Sequence, residues 1–315
     1  MFEQILEEIK KADSIVIAGH IRPDGDCYGS QVGLKDAIVS TFPEKKVYLV
    51  GSGLPNFFDF FEPTVEVDDE TIKNSLCIIV DLNELYRIED QRIRNLATKM
   101  ILFDHHVKME IFPFPTAIDS DACSVSELII RFVQEQNLKL SPKGANALYL
   151  GVLTDSAQFQ YVANFPRVFA LCKYLCEIGA RPELVNQRLA ETNENTLRAK
   201  GYALTHYHKK NGGIIYLHMN HLELRKLGIK TSYGTTLINH IGNLNGYPIW
   251  ATFFEDREHT CLCEFRSSKY NVCSVAMKYG GGGHMMAAGL TVKNFNKRKM
   301  NNILNDLLAL IKEDQ

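Results

Sequence analysis

The 315-residue chain has no apolar run approaching the ~18 residues that a membrane-spanning helix needs. Its opening segment, Phe2 to Lys11, is amphipathic, with Phe2, Ile5, Leu6 and Ile9 on one face, and lacks the apolar core of a signal peptide. A cytoplasmic protein with no membrane anchor and no membrane partner is expected. Charge excess is also missing: 35 Lys and Arg against 37 Asp and Glu leave a net charge of −2. That excludes the strongly basic surface by which proteins hold long duplex nucleic acid through counterion release. A short anionic ligand in a local basic pocket stays compatible with it. The eight cysteines show no zinc spacing. Cys261-x-Cys263 lies in a predicted strand and Cys172-x-x-x-Cys176 in a predicted helix, and both read as core thiols. Dispersed thiols suit a reducing cytosol better than a disulfide framework. The chain also lacks internal repeats and low-complexity tracts.

What is present is an ordinary globular composition, 45% hydrophobic and 23% charged, at a length that implies two domains. In the first half, strand-like Ser14 to Ala18, Lys46 to Val50, Leu76 to Asp81 and Met100 to Asp104 alternate with helical patterns at Gly29 to Phe42 and Glu89 to Thr98. Alternation of this kind predicts an α/β fold with a mostly parallel sheet flanked by helices. Ser124 to Glu135, Ser141 to Thr154 and Phe165 to Gly179 read as further helices. A polar helical connector follows, and from about Gly212 the pattern changes: a strand at 214–219, a helix at 232–242, antiparallel strands at 248–255 and 260–267, and a final amphipathic helix at 297–312. The expected domains are residues 1–185, a linker at 186–209, and a smaller α/β domain with a mixed sheet at 210–315, with a cleft between the two.

Chemistry gathers at the ends of the apolar segments. Gly19-His20-Ile21-Arg22-Pro23-Asp24-Gly25-Asp26 follows the run Ile15 to Ala18 and places three potential metal ligands within seven residues. The Pro-Asp-Gly turn argues against helix there. Alone, the stretch is equally compatible with an acidic surface turn. The pattern repeats, however: Leu76 to Val80 ends at Asp81, Lys99 to Phe103 ends at Asp104-His105-His106, and Leu148 to Thr154 ends at Asp155. Ligands of open α/β sheets bind at the carboxyl edge. Crowded carboxylates there repel one another unless a cation neutralises them.

His20-x-x-Pro23-Asp24-Gly25-Asp26-x-x-Gly29-Ser30, Asp81, Asp104-His105-His106 and Asp155 resemble, in order and spacing, the four motifs of the DHH phosphoesterase family. Gly280-Gly281-Gly282-Gly283-His284-x-x-Ala287-Ala288-Gly289 is similar to the signature of the DHH-associated substrate-binding domain. The likeness spans Ile15 to Leu290. Its size and both domains most resemble the stand-alone bacterial oligoribonuclease (nanoRNase) and pAp-phosphatase group. Ser156-Ala157 departs from the Thr-Gly or Ser-Gly pair that many members carry after the last aspartate.

The candidate ligands His20, Asp24, Asp26, Asp81, His105 and Asp155 offer nitrogen and hard oxygen, which selects against structural zinc and for Mn²⁺ or Mg²⁺. Two imidazoles favour Mn²⁺, with Mg²⁺ or Co²⁺ as substitutes. Six ligands exceed the needs of one ion that must also admit water and substrate, so two ions are expected, about 3.5–4 Å apart. The resemblance implies His20 and Asp24 on one ion, Asp26, His105 and Asp155 on the other, and Asp81 bridging. It makes Asp104 a supporting acceptor that orients an imidazole. His106 then contacts the scissile phosphate or protonates the leaving oxygen, or else is a structural histidine bonded to backbone. Ser30 reads as a helix N-cap. The run Gly281-Gly282-Gly283, before a short helix expected at Met285 to Ala288, reads as an anion cradle with His284 beside it. Arg266 and Ser267 close a strand, where the arginine can grip a phosphate.

Together these features lead to an expected Mn²⁺-dependent phosphodiesterase and phosphatase with two-metal-activated water. Its substrates would be very short single-stranded RNA, cut to mononucleotides, and 3'-phosphoadenosine 5'-phosphate (pAp), converted to AMP. Cleavage of a linear dinucleotide such as pApA, in cyclic-di-AMP turnover, is an alternative; a silent nucleotide-binding regulator is another. A homodimer is left open.

Overall fold

A buried parallel sheet organises the first half of the molecule. The computed structural model describes residues 2–82, 84–106 and 111–312, and the chain divides into two units, Met1–Ala190 and Glu191–Gln315. In the first unit β1 (Ser14–Ala18), β2 (Lys46–Leu49), β3 (Leu76–Val80), β4 (Lys99–Asp104) and β5 (Thr116–Ile118) run parallel in the order β2-β1-β3-β4-β5. Their near-continuous Ile, Val and Leu runs reflect burial on both faces. Helices α1 (Phe2–Lys11), α2 (Gly25–Thr41), α5 (Val125–Glu135) and α6 (Pro142–Asp155) share one core with Ile15, Ile17, Ile78, Val80, Ile101 and Phe103. The opposite face of the sheet buries Val16, Ala18, Cys77, Ile79 and Leu102 with Ile72 of α3 (Asp69–Asn74) and Ile93 of α4 (Gln91–Leu96). Helices α7 (Phe165–Ile178), ended by Gly179 at φ +112°, and α8 (Pro182–Ala190) complete the unit.

Helix α2 starts earlier than its sequence pattern predicts. Asp24 is its N-cap and accepts hydrogen bonds from the Asp26 and Cys27 amides, so Gly25 and Asp26 are helical rather than part of a turn. Two otherwise orphaned N–H groups are satisfied in this way, and Pro23 lies outside the helix where it does no harm. Ser30 is consequently interior; its hydroxyl donates to the Cys27 carbonyl and caps nothing. Helix α2 lies very close to α6. A Cβ on Gly29 would lie 2.4 Å from the Ala147 carbonyl oxygen, one on Gly33 2.4 Å from Leu148, and one on Gly151 1.9 Å from Ser126 Oγ and 2.5 Å from Asp26 Oδ1.

The second unit is a mixed sheet. After α9 (Glu194–His206), strands β6 (His208–Lys210), β7 (Ile214–Met219), β8 (Ile249–Glu255), β9 (Cys261–Ser267), β10 (Gly282–His284) and β11 (Ala287–Val292) assemble in the order β10-β11-β9-β8-β7-β6. Only the β7–β8 pair is parallel. Helices α12 (Val272–Lys278) and α13 (Lys297–Lys312) cover one face, over Phe253, Cys263 and Phe265. On the other face α9, α10 (His221–Leu227) and α11 (Gly234–Ile241) cover Leu217, Trp250 and Phe254, with Ala199 and Ala203 of α9 in that core. The helix expected at residues 285–288 does not form. Met285 and Met286 turn a hairpin, and Ala287 to Val292 pair with β9 along its whole length. Six ladder positions on β9 outweigh an isolated helical turn, whose nucleation is unfavourable. Glycine is needed at positions 281 and 283 by close approach: a Cβ there would lie 2.3 Å from the Gly289 carbonyl oxygen and 2.5 Å from that of Ala287. Among the described residues no helix is long and apolar enough to cross a membrane.

Because the α2–α6 contact leaves no room for a methyl group, Gly29→Ala is expected to destabilise the protein by about 1–3 kcal/mol in urea unfolding. Gly201→Ala, whose added Cβ on α9 meets nothing within 4 Å, is expected to be neutral or to stabilise by up to about 1 kcal/mol. Equal effects of the two substitutions would contradict the contact.

Candidate metal centre

The carboxyl edge of the first sheet collects polar groups from five segments. His20 follows β1, Asp81 follows β3, and Asp104 ends β4 with His105 and His106 just after it, while Asp26 comes from the first turn of α2 and Asp155 from the last residue of α6. Asp81 is central. His20 Nε2 lies 3.4 Å from its Oδ2, and His105 Nε2 and His106 Nδ1 lie 3.5 and 3.8 Å from its Oδ1. His105 Nε2 is also 3.1 Å from Asp155 Oδ2. The backbone of Asp81 holds φ at +62°, a conformation that costs a non-glycine residue and tends to be kept at functional positions.

Neighbouring backbone aims the imidazoles. His20 Nδ1 bonds the Ile21 carbonyl at 2.9 Å and His105 Nδ1 that of Ala122 at 3.2 Å. A carbonyl only accepts, so the proton sits on Nδ1 and each Nε2 turns to Asp81. His106 differs, since its Nδ1 bonds the fully buried Asp104 carboxylate at 2.7 Å. Asp104 thus orients His106, whereas His105 depends on Ala122. Asp26 is fully buried at the N-terminus of α5 and accepts from Val125 N at 2.6 Å and Ser126 N at 2.9 Å.

Among the described residues, three sets bring ligand atoms within 4.8 Å of one another: His20, Cys27 and Asp81; Asp81, His105 and His106; and Asp26, His105 and Asp155. Asp24 is in none of them; its Oδ1 accepts the two cap hydrogen bonds of α2, which involve only that one carboxylate oxygen. Cys27 is the neighbour that sequence reading misses, because a lone cysteine inside an apolar helical pattern looks like core. Burial, with Asp81 and Asp24 close by, pushes its thiol well up, so it stays S–H.

The electrostatics fit a cation. Burial and the Asp81 charge raise the Asp24 and Asp26 carboxyls, and burial pushes Asp155 up to about 7 despite His105. Burial acts against charge on His20 and His105, yet Asp81 and its neighbours outweigh it and push them up to about 9 and about 10. The two imidazoles in turn hold Asp81 below the ordinary carboxylate range despite its burial. The site therefore confines more negative charge than it stabilises by itself, in a set of nitrogen and oxygen donors suited to Mn²⁺ or a similar divalent ion.

The other expected residues lie in the second unit. Arg266 Nη1 donates to Glu264 Oε2 at 3.2 Å and to the Phe265 carbonyl at 2.9 Å. Ser267 is buried, and its Oγ accepts from the amides of Lys269 and Tyr270, so it shapes the turn after β9. Gly281, Gly282 and Gly283 lead into or form β10, and His284 is exposed at the hairpin turn. These residues share one end of the β9–β11–β10 ladder, where Arg266 pairs with Ala287 and His284 pairs with Ala287 from the other side.

Comparison with known proteins agrees with this geometry. Residues 14–152 match the DHH family, N-terminal domain, and residues 214–313 match the DHHA1 domain. The chain is 31% identical over 322 residues to the bifunctional oligoribonuclease and PAP phosphatase NrnA of Bacillus subtilis (strain 168), covering 100% of both chains. To the protein of the same name from Mycoplasma pneumoniae it is 32% identical over 309 residues, covering 96% of this chain and 94% of that one. An exopolyphosphatase-related protein from Bacteroides fragilis shares the fold, with a TM-score of 0.89 at 23% identity, covering 99% of this chain and 97% of that one. Full-length similarity of this kind, together with both domain matches, establishes that the chain belongs to the DHH phosphoesterase family.

Proposed function

We propose that the protein is a Mn²⁺-dependent, cytoplasmic phosphoesterase that degrades very short oligoribonucleotides to mononucleotides and converts pAp to AMP. The observation that carries this reading is the convergence of His20, Asp26, His105 and Asp155 on and around Asp81 at the edge of the parallel sheet. Full-length similarity to proteins named for both activities supports it, and eight free cysteines suit a reducing compartment.

In this reading His20 and Asp24 would hold one ion, Asp26, His105 and Asp155 would hold the other, and Asp81 would serve both. When bound, the pair supplies Lewis-acid charge at the phosphoryl oxygens and an activated water. His106, oriented through Nδ1–H on Asp104, is the group assigned to the phosphate or to the proton of the departing oxygen. Asp104, fully buried, fixes that tautomer. Arg266 uses Nη1 for its internal bonds, and its five-donor fork retains N–H groups for a substrate phosphate. Gly281, Gly282, Gly283 and His284 flank the same ladder, and Ser267 acts through the turn it holds.

Incubation with Mn²⁺ and a panel of dinucleotide to pentanucleotide RNA, pAp, pApA and polyphosphate tests the substrate class. Release of mononucleotides from RNA and of phosphate from pAp is expected, with polyphosphate left intact. Turnover of polyphosphate alone would overturn the reading, and exclusive cleavage of pApA would replace it with the dinucleotide alternative.

Asp81→Asn, which tolerates positive φ, is expected to lower kcat more than the roughly 10–100-fold typical of outer partners of a metal site. Its metal-free melting temperature should fall, since the carboxylate charge that His20 and His105 stabilise in the folded state has gone. Wild-type Mn²⁺-dependent activity in the folded variant would remove Asp81 from the centre.

Loss of a charge-assisted contact on the order of 2 kcal/mol predicts that Arg266→Ala cuts kcat/KM for short RNA and pAp by tens of fold. A small generic phosphodiester should lose much less, with metal content unchanged. Equal losses on both substrate types would place Arg266 in the chemical step instead.

A further inference from the structure

Two of the candidate ligands, His105 and Asp26, are held by one short segment, residues 119–127, which runs from the end of β5 into the first turn of α5. Its Ala122 carbonyl fixes His105 Nδ1, and its Val125 and Ser126 amides hold both carboxylate oxygens of Asp26. The segment is folded on itself around Glu127, which is fully buried: Glu127 Oε2 accepts from Cys123 N at 2.7 Å, and Glu127 N donates to the Ser124 hydroxyl at 3.0 Å.

From outside, a single side chain reaches three points of this segment. Arg167, near the start of α7, places Nε 2.5 Å from Glu127 Oε1, donates from Nη2 to the Asp121 carbonyl at 2.9 Å, and sets Nη1 3.9 Å from Asp119 Oδ2. Asp119 is also anchored by Arg131 at 2.5 Å. A buried carboxylate with its cation removed is strongly unfavourable, and the planar guanidinium combines the ion pair with Glu127 and the hydrogen bond to the Asp121 carbonyl in one rigid group.

We propose that Arg167, through Glu127 and the 119–127 segment, is a positioning residue for one half of the metal centre. It touches no candidate ligand itself. By setting the Ala122 carbonyl and the first amides of α5, it orients His105 and Asp26 together. His20 and Asp24 are held elsewhere, by the Ile21 carbonyl and by the first turn of α2. The inference rests on the two-ion reading above and predicts a one-sided effect.

Calorimetric titration with Mn²⁺ alone, followed by electron paramagnetic resonance of the loaded protein, tests it. In Arg167→Ala one Mn²⁺ site keeps wild-type affinity and the other weakens about 10–100-fold, the usual effect of disturbing an outer partner. The spin-coupled pair signal gives way to isolated Mn²⁺ at low metal, and kcat recovers with excess Mn²⁺. Arg167→Lys restores the second site only in part. If the lone Glu127 charge prevents folding of Arg167→Ala, the double variant Arg167→Met, Glu127→Gln removes both charges at similar volume, and the same selective loss is expected. Wild-type affinity at both sites, or equal weakening of both, in a folded variant would overturn the proposal. Failure of the wild-type protein to bind two Mn²⁺ ions would instead overturn the two-ion reading on which it rests.

Discussion

The closeness of helices α2 and α6 is the constraint on which the first unit depends. Each helix carries glycines where the other passes, and Gly151 in particular leaves the space taken by Ser126 and the Asp26 carboxylate. That one missing side chain lets three helices meet: α6 at Gly151, α2 at Asp26, and α5 through the amides that bond Asp26. Asp155 stands four residues beyond Gly151, one turn further along α6, and is thereby carried to His105. Close packing of backbone on backbone is therefore what turns separate acidic residues into a site. Protein interiors resist deformation, so a small error here would propagate directly to the residues gathered at the sheet edge.

Two residues of the centre go against local preference. Asp155 is the last residue of α6, at the end of the helix dipole that disfavours a carboxylate. Asp81 takes a left-handed backbone in the loop after an otherwise regular strand. Neither choice adds to stability, and they meet in one place with burial that raises several carboxyls. Local conflicts gathered at one point are the expected mark of function, since a folded protein tolerates them only where something else makes use of the arrangement. A divalent cation reverses the sign of the local argument: the same crowding that is costly without it becomes coordination with it.

The second unit follows a different logic. Its sheet is covered by helices on both faces, while the end of the β9–β11–β10 ladder carries Arg266 and the glycine hairpin. Here glycine permits strands to lie against carbonyl oxygens rather than freeing amides at a helix start. Arg266 is held by Glu264, whose carboxyl burial raises and the arginine lowers. The guanidinium is thus presented in a fixed orientation instead of sweeping through solvent, which would reduce the entropy lost in the phosphate contact proposed for it.

Much of this architecture was legible in the amino-acid order. Uninterrupted Ile, Val and Leu runs marked the buried parallel strands, because burial on both faces leaves no alternation, and Asp81, the Asp104-His105-His106 trio and Asp155 stood out as polar residues ending such runs. The amphipathic periods of α1 and α13 were equally plain. What escaped were features set by partners distant in sequence. The early start of α2 depends on a cap and on burial against α6, the hairpin at residues 282–292 depends on an available edge of β9, and the hold on His105 and Asp26 comes from a segment about a hundred residues from Asp26. The chain by itself determined which residue types reach the sheet edge, since strand ends follow from local apolar pattern. Only the tertiary structure decided their mutual distances, the tautomers of the histidines, and the commitment of Asp24 and Ser267 to backbone, because each of those is settled by a hydrogen bond or a contact that local sequence does not encode.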